Sequence, residues 1–398
     1  MYIMEGKEGS FLPRTENSNP SKTEKESIIM SSCKSSDLVR IAILGCGPRG
    51  DQMSKIVSLL TKSFKLCAMS DPDPAARAKI KSRCPDLEMY ESSDDLLDKA
   101  RIDAVIVETP PAYHAEYVCK ALSRNIAVMS EIPVAETCEE AEQLYKAVKS
   151  SKALFMTGAT ANYRQKSRYM LKLKREGILG KAAYVEAEYM HDLRASKDPW
   201  RKTYETCRYC CHSLGPLLAV MDGDEFDTVS CMGTGDHFNC GWINNNMAAL
   251  LRTKNNVVCR FMCGFAINHC GPAHRTVLYT DKGHFKFYNE RAMIYTSDMP
   301  LYTREKSFYT VEFGNVPERF TNDVEFPYDK VMACGGGGHG GADFIMLEDF
   351  ADALVNGKPS PVSIEAGLAM TIPGIFAAES AREGGALKKI VYPWSREK

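Results

Sequence analysis

The stretch IAILGCGPRGD, residues 41–51, constrains the fold more than any other part of the chain. Four apolar residues run into Gly45, Gly47 and Gly50, and Met53, Ile56, Val57 and Leu60 then recur at helical spacing. A buried strand that turns through glycines into a helix N-terminus presents backbone N–H groups and partial positive charge to a phosphate. Gly45 permits the tight turn, Gly47 lets backbone approach a diphosphate, and Gly50 lets helix and strand pack closely. Pro48 suits the first helical turn, and the helix is expected from 48 to about 61. The pattern gains force from Asp71, which follows the next strand, FKLCAMSD, about twenty residues beyond Gly50. A carboxylate there can accept the two adenosine-ribose hydroxyls and would repel a 2′-phosphate. The expected cofactor is therefore NAD rather than NADP.

Strand-like and helical segments alternate up to about residue 160. VRIAIL, FKLCAMSD, DAVIVETPP, NIAVMSEIPV and ALFMTGA read as short buried strands, and DPAARAKIKSRC, YHAEYVCKALSR and CEEAEQLYKAVKSS as helices between them. That spacing implies a doubly wound parallel sheet. Beyond residue 160 a helix, SRYMLKLKREG, precedes a run of strands joined by turn signals such as KNN and DKG. Two helices around ADFIMLEDFADALVNG and SIEAGLAMTIPGIFAAESAREGG close the chain. The expected fold class is α/β: an N-terminal Rossmann dinucleotide-binding domain over 37–160, then an α+β domain over 161–398 with an open, mainly antiparallel sheet. Residues 1–36, rich in Lys, Glu, Ser, Asn and Pro, read as a polar N-terminal tail.

Composition narrows the class of function. Lys plus Arg is 50 against 51 for Asp plus Glu, a balance that argues against nucleic acid as a partner. No apolar run approaches the ~18 residues of a membrane span. The 15 cysteines sit mostly inside apolar runs such as VVCRFMCGF, and with no secretory signal legible they read as reduced core thiols of a cytoplasmic protein. CRYCCH offers Cys207, Cys210, Cys211 and His212 at zinc-knuckle spacing, but no second knuckle accompanies it, so no metal is expected.

The segments TPPAYHAEYVCKAL, SEIPVAETCEEAEQL and NYRQKSRYMLKLKREGILGKAAYVEAEY resemble the Gfo/Idh/MocA family of sugar oxidoreductases. The resemblance spans residues 38 to 393. It implies a substrate bound between the domains beside the nicotinamide, and a homodimer or homotetramer built through the open sheet. Cofactor contacts are implied at Gly45, Gly47, Pro48, Arg49 and Gly50, at Asp71, at Thr109, Pro110 and His114, and at Glu131. Within the family, EYMHDLR, YCCHSLGP and GGHGGADFIM resemble the NAD-dependent glycosidases typified by bacterial α-N-acetylgalactosaminidases. Carried over residue by residue, this implicates Tyr189, His191, Tyr209 and His212 in catalysis, with Arg194 and His339 meeting the substrate.

Two departures steer the reading. Net dehydrogenases of the family usually carry Glu-Lys-Pro, whose lysine polarises the reacting hydroxyl. This chain has Glu131-Ile132-Pro133. They also often place an Asp four residues before the histidine, where this chain has Arg208. The implied activity is a glycoside hydrolysis through transient oxidation at C3, with net sugar or cyclitol dehydrogenation as the alternative. Oxidation acidifies the neighbouring C2–H, so that its removal expels the aglycone and no pair of carboxylates need flank the anomeric carbon. His212 is the expected base for the oxidised hydroxyl, and Tyr209 acts at C2 or on the leaving group. Ser213 replaces the family's glycine after the histidine, which leaves the sugar's identity open.

Overall fold

Short apolar runs without polar alternation must be covered on both faces, and those of the first half build a six-stranded parallel sheet. Its strands are β1 (Val39–Leu44), β2 (Phe64–Ser70), β3 (Glu88–Tyr90), β4 (Ala104–Val107), β5 (Ala127–Glu131) and β6 (Phe155–Gly158). They lie in the order β3-β2-β1-β4-β5-β6, so the topology reverses between β1 and β4. In such sheets ligands bind at the carboxyl ends of the strands beside that reversal. Helices α1 (Pro48–Val57), α2 (Pro74–Arg83), α3 (Ser93–Lys99), α4 (His114–Ser123) and α5 (Cys138–Ser150) make the crossovers. This computed structural model describes residues 38–196, 199–267, 273–288, 291–296, 309–312 and 339–395. The tail expected over 1–36 and residues 335–338 of the glycine-rich run lie outside them.

Three local expectations change. Helix α1 ends at Val57 rather than near Thr61, because the chain folds back through turn bonds from Leu59 N–H to Ile56 C=O and from Leu60 N–H to Val57 C=O. Strand β3 and helix α3 were not expected. The helix starts at a cap, Ser92 Oγ accepting from Asp94 N–H at 3.2 Å, and is too short to show an apolar period.

The second sheet takes up the alternating segments. After α6 (Thr160–Tyr163) and α7 (Gln165–Arg175) come β7 (Ala182–Met190), the short α8 (Pro199–Lys202) and α9 (Cys211–Leu218). Then follow β8 (Phe226–Gly233), β9 (Asn246–Thr253), β10 (Val258–Gly264), β11 (Ala273–Thr280), β12 (Gly283–Tyr288), β13 (Arg291–Thr296) and β14 (Tyr309–Glu312). Helices α10 (Ala342–Asn356) and α11 (Ile364–Arg382) and strand β15 (Lys388–Lys389) end the chain. The order is β14-β13-β12-β11-β7-β10-β9-β8-β15, antiparallel except where β7 meets β10 in parallel. Period-2 burial divides the faces: Met247, Ala249 and Leu251 of β9 point into the core, while Leu250 is exposed. Helices α9 and α11 pack on the inner face. The outer face carries exposed Met232, Leu250, Tyr279 and Tyr288 beside the ion pairs of Arg260 and Arg275 with Glu186 and Glu188. Among the described residues no helix is long and apolar enough to cross a membrane. From Leu38 onward the chain forms one compact unit.

Candidate active site

The three motif glycines do three different things. Gly45 has φ +101°, and a Cβ there would lie 2.6 Å from the Glu108 carbonyl oxygen at the end of β4. A Cβ on Gly50 would lie 1.9 Å from the Gly45 carbonyl oxygen, so helix α1 could not dock. Gly47 has an unstrained φ of −62°, and its Cβ would meet nothing within 4 Å. Neither backbone conformation nor packing demands glycine there, which leaves clearance for something outside the protein. Helix α1 starts at this residue with no side-chain cap, so its first N–H groups face the same clearance. Asp71 stands beside the loop, its Oδ2 accepting from Cys46 N–H at 2.8 Å and its Oδ1 from Asp73 N–H at 2.9 Å. The Thr109 hydroxyl is buried with no hydrogen-bond partner among the described residues. Open backbone, an orphan hydroxyl and a carboxylate at the ribose position fit an adenine dinucleotide.

His114 and Arg49 take other places than expected. His114 is buried with both ring nitrogens against carbonyls, Nδ1 on Pro133 at 2.8 Å and Nε2 on Thr109 at 2.7 Å. It ties the loop after β4 to the one after β5, and burial holds its pKa below the usual histidine range. Arg49 turns inward. Its Nε donates to Glu131 Oε1 at 2.8 Å, Nη1 to Asp343 Oδ2 at 2.8 Å and Gln52 Oε1 at 3.2 Å, and Nη2 to Asp343 Oδ1 at 2.9 Å and Thr160 Oγ1 at 3.0 Å. Glu131 is thereby occupied as well, its Oε2 accepting from Ile132 N–H. Arg49 and the His339 N–H pull Asp343 well below the ordinary carboxylate range against its complete burial. Burial pushes Glu108 the other way, and among the described residues its Oε2 has no hydrogen bond though it lies 3.5 Å from Arg49 Nε.

The second set of groups gathers on the inner face of the nine-stranded sheet. Tyr189 is the penultimate residue of β7, and its ring centroid lies 4.5 Å from His191, 4.9 Å from His212 and 5.9 Å from Tyr209. Tyr209 closes a 3-10 turn at Thr206–Cys210 and stacks on His212, in the first turn of α9, at 4.8 Å and 11°. Cys211, Leu214 and Leu217 bury one side of α9 against α11. All four catalytic candidates thus converge.

Burial sets their proton chemistry. It pushes the Tyr189 hydroxyl up. It also pushes Tyr209 up to about 12, although Arg201, whose Nη1 donates to the Tyr209 oxygen at 3.2 Å, pulls the other way. His212 is held well below the usual histidine range by burial and then by the positive charge of Arg164, with His339 and His191 acting the same way whenever they are protonated. Near neutral pH Tyr189 and Tyr209 therefore keep their protons and the His212 imidazole is uncharged.

The expected substrate contacts separate. Arg194 is exposed and bound to Asp192, with Nε to Oδ1 at 2.8 Å and Nη2 to Oδ2 at 2.6 Å, and does not join the cluster. His339 does come to the site's edge, its Nδ1 3.1 Å from Asp343 Oδ2. Arg208 points away, bonding the Glu136 carbonyl oxygen at 2.6 Å and Glu205 at 3.1 Å. Ile132 is core. The pattern reading missed His274, which β-ladder register sets opposite Tyr189; the rings stack at 4.7 Å, and its buried Nδ1 has no partner among the described residues. The signal was the inward alternation His274, Thr276, Leu278 in β11. Trp200 and Arg201 of α8, near Tyr209, were missed too, for want of any motif. Among the described residues no group of three or more His, Cys, Asp or Glu could hold a metal ion.

Comparison with known proteins covers both halves. Residues 39–159 match the family model described as the oxidoreductase family, NAD-binding Rossmann fold. A glycosyl hydrolase family 109 protein from Shewanella sp. (strain ANA-3) is 24% identical over 86% of this chain and 82% of its own length. An α-N-acetylgalactosaminidase from Shewanella oneidensis is 23% identical over 91% of this chain and 86% of its own. Among solved structures, levoglucosan dehydrogenase in complex with NADH and levoglucosan superposes with a TM-score of 0.74 at 16% identity, covering 89% of this chain and 100% of that one. The myo-inositol 2-dehydrogenase from Lactobacillus plantarum gives a TM-score of 0.71 at 17% identity, over 89% and 100%. At these identities the two structures speak for the fold.

Proposed function

Through residues 39–159 the chain belongs to the Gfo/Idh/MocA oxidoreductase family with its NAD-binding Rossmann fold, and on that premise we propose a redox glycosidase that keeps its NAD. The observation that carries this reading is the convergence of Tyr189, His191, Tyr209 and His212 on one sheet face, with no lysine after Glu131. Two relatives with glycosidase names that align along most of their length support the same class. Bound NAD would supply a reversible hydride acceptor for a ring C–H of the sugar.

The protein's own groups then divide the proton work. His212, kept uncharged by its surroundings, accepts the proton of the hydroxyl that is oxidised. Tyr209 is a poor base with its hydroxyl pushed up, and is suited to donate to the departing aglycone oxygen, its ring held between Trp200 and His212. Gly47 and the first N–H groups of α1 seat the diphosphate in the turn that Gly45 and Gly50 permit, and Asp71 meets the adenosine ribose. Thr109 and Pro110 line the loop after β4, and Glu131 stands at the nicotinamide end. The open outer face of the second sheet is proposed to pair with another copy as a homodimer or homotetramer, which sedimentation would test.

The deciding experiment uses a panel of nitrophenyl glycosides in heavy water without added cofactor. Products should carry deuterium at C2 while NADH in bulk solution stays flat. NADH released one-for-one with a keto-sugar would instead establish the alternative, a net sugar or cyclitol dehydrogenase.

A further inference from the structure

Tyr209 and Tyr189 keep their protons, and His212 has one acceptor nitrogen for the hydroxyl, so a carbon-bound proton must pass to one of the other imidazoles: His191 and His274 inside the cluster, or His339 at its edge. The groups around Arg49 bear on that need. A guanidinium carries five N–H donors. Arg49 spends all five inside the protein, on Glu131, Gln52, Thr160 and both oxygens of Asp343. No donor is left for a cofactor phosphate, although Arg49 lies in the glycine loop.

Asp343 is equally committed. Its Oδ1 accepts from Arg49 Nη2 and from the Thr160 hydroxyl at 2.7 Å, and its Oδ2 from Arg49 Nη1 and His339 Nδ1. The residue is completely buried, and an ionised carboxylate there can only accept. His339 must therefore donate through Nδ1, so whenever its ring is neutral the lone pair lies on Nε2. The His339 side chain is 34% exposed, and it lies close enough to His212 for a proton on one ring to oppose a proton on the other, which puts it at the mouth of the cluster. The three residues come from α1, from α10 and from the turn before α10, where His339, Gly340 and Gly341 all have positive φ.

We infer that Arg49 is a positioning residue for His339: it clamps Asp343, and Asp343 selects the Nδ1–H tautomer that leaves Nε2 free to take a proton. The inference rests on the glycosidase reading only for what that nitrogen does, since the tautomer itself is a property of the resting protein. An anchored carboxylate serves a catalytic histidine in the same way in hydrolase triads.

Nitrogen-15 NMR of histidine side chains in the full-length protein, with His339→Gln for assignment, reads the tautomer directly. In alkaline buffer the wild type should show His339 protonated at Nδ1, and Arg49→Lys, which cannot fork, should shift it toward a mixture. Calorimetry should find NAD affinity changed less than about threefold in Arg49→Gln, while kcat on the best glycoside drops about a hundredfold at nearly constant KM. If Arg49→Gln melts too early, Arg49→Lys carries both measurements. An Nε2–H tautomer in the wild type overturns the inference, as does a tenfold loss of NAD affinity with unmoved His339 signals, which would make Arg49 a phosphate ligand. A wild type that cleaves no glycoside yet shows the Nδ1–H tautomer would sink the glycosidase reading alone.

Discussion

The glycine loop draws its groups from six consecutive residues, whereas the cluster around Tyr189 draws on positions as far apart as His191, His212 and His274. In the loop, spacing alone prescribes geometry, because a strand that ends at Leu44 and a helix that begins at Pro48 leave the backbone few paths. In the cluster, spacing prescribes almost nothing. Tyr189 meets His274 through the β7–β11 register, and it meets His212 because α9 packs on that sheet face. A binding loop can be read from one segment, and a reaction centre must be assembled.

The largest expected effect tests the assembled half alone. His212→Ala should lower glycoside turnover by about 10²–10⁴-fold. NAD affinity should hold within a few-fold, and a parallel loss of NAD binding would show that the two regions are one cooperative site.

Asp343→Asn cuts between the regions. Removing one partner of a buried, fully bonded ion pair costs about 3–5 kcal/mol. The folded-state pKa of Asp343 is depressed, so its stabilisation is present above the ordinary carboxylate range and disappears as pH falls through the folded value. Urea melts of wild type and variant should differ most at neutral pH and converge in acid; a gap independent of pH would assign the loss to packing.

Two alanine substitutions sharpen the loop itself. Gly50→Ala forces a Cβ against the Gly45 carbonyl oxygen and should destabilise by about 1–3 kcal/mol. Gly47→Ala meets no protein atom, so the melting temperature should stay while NAD affinity falls. Equal melting losses would show that the clearance at Gly47 belongs to the fold.

Smaller effects follow. Asp71→Ser should narrow the preference for NAD over NADP by about tenfold, or about 1.4 kcal/mol; wild-type protein that binds NADP as tightly would break the ribose argument. Glu108→Gln should be the mildest change, within about 1 kcal/mol, because burial already favours the neutral acid. A folded-state pKa raised above the unfolded one means that stability falls as pH rises past the ordinary carboxylate range. The glutamine variant should accordingly gain on wild type from acid toward neutral pH, and a steady loss instead would show that Glu108 works as an ion.

Much of the molecule was legible in residue order. Alternating apolar runs and amphipathic helices announced the parallel sheet, and period-2 patterns such as that of β9 announced the second one. Elements carrying little pattern escaped: β3 has three residues, and the apolar positions of α9 are interrupted by Gly215 and Pro216. Among site residues, Tyr189, His191, Tyr209 and His212 came from family resemblance rather than from any local rule. Arg194 lies apart from the cluster because an exposed arginine beside an aspartate satisfies itself locally, with Asp192 two positions away.

What the order of residues determined by itself is whatever depends on neighbours a few positions apart: the turn at Gly45, the start of α1 at Pro48, the carboxylate after β2. Tertiary structure alone decided where long side chains spend their charge. Arg49 sits in a loop whose spacing suggests phosphate, yet its guanidinium reaches Asp343, 294 positions away. Five donors in a buried place go to the carboxylates that close packing delivers, and no local pattern records which those are.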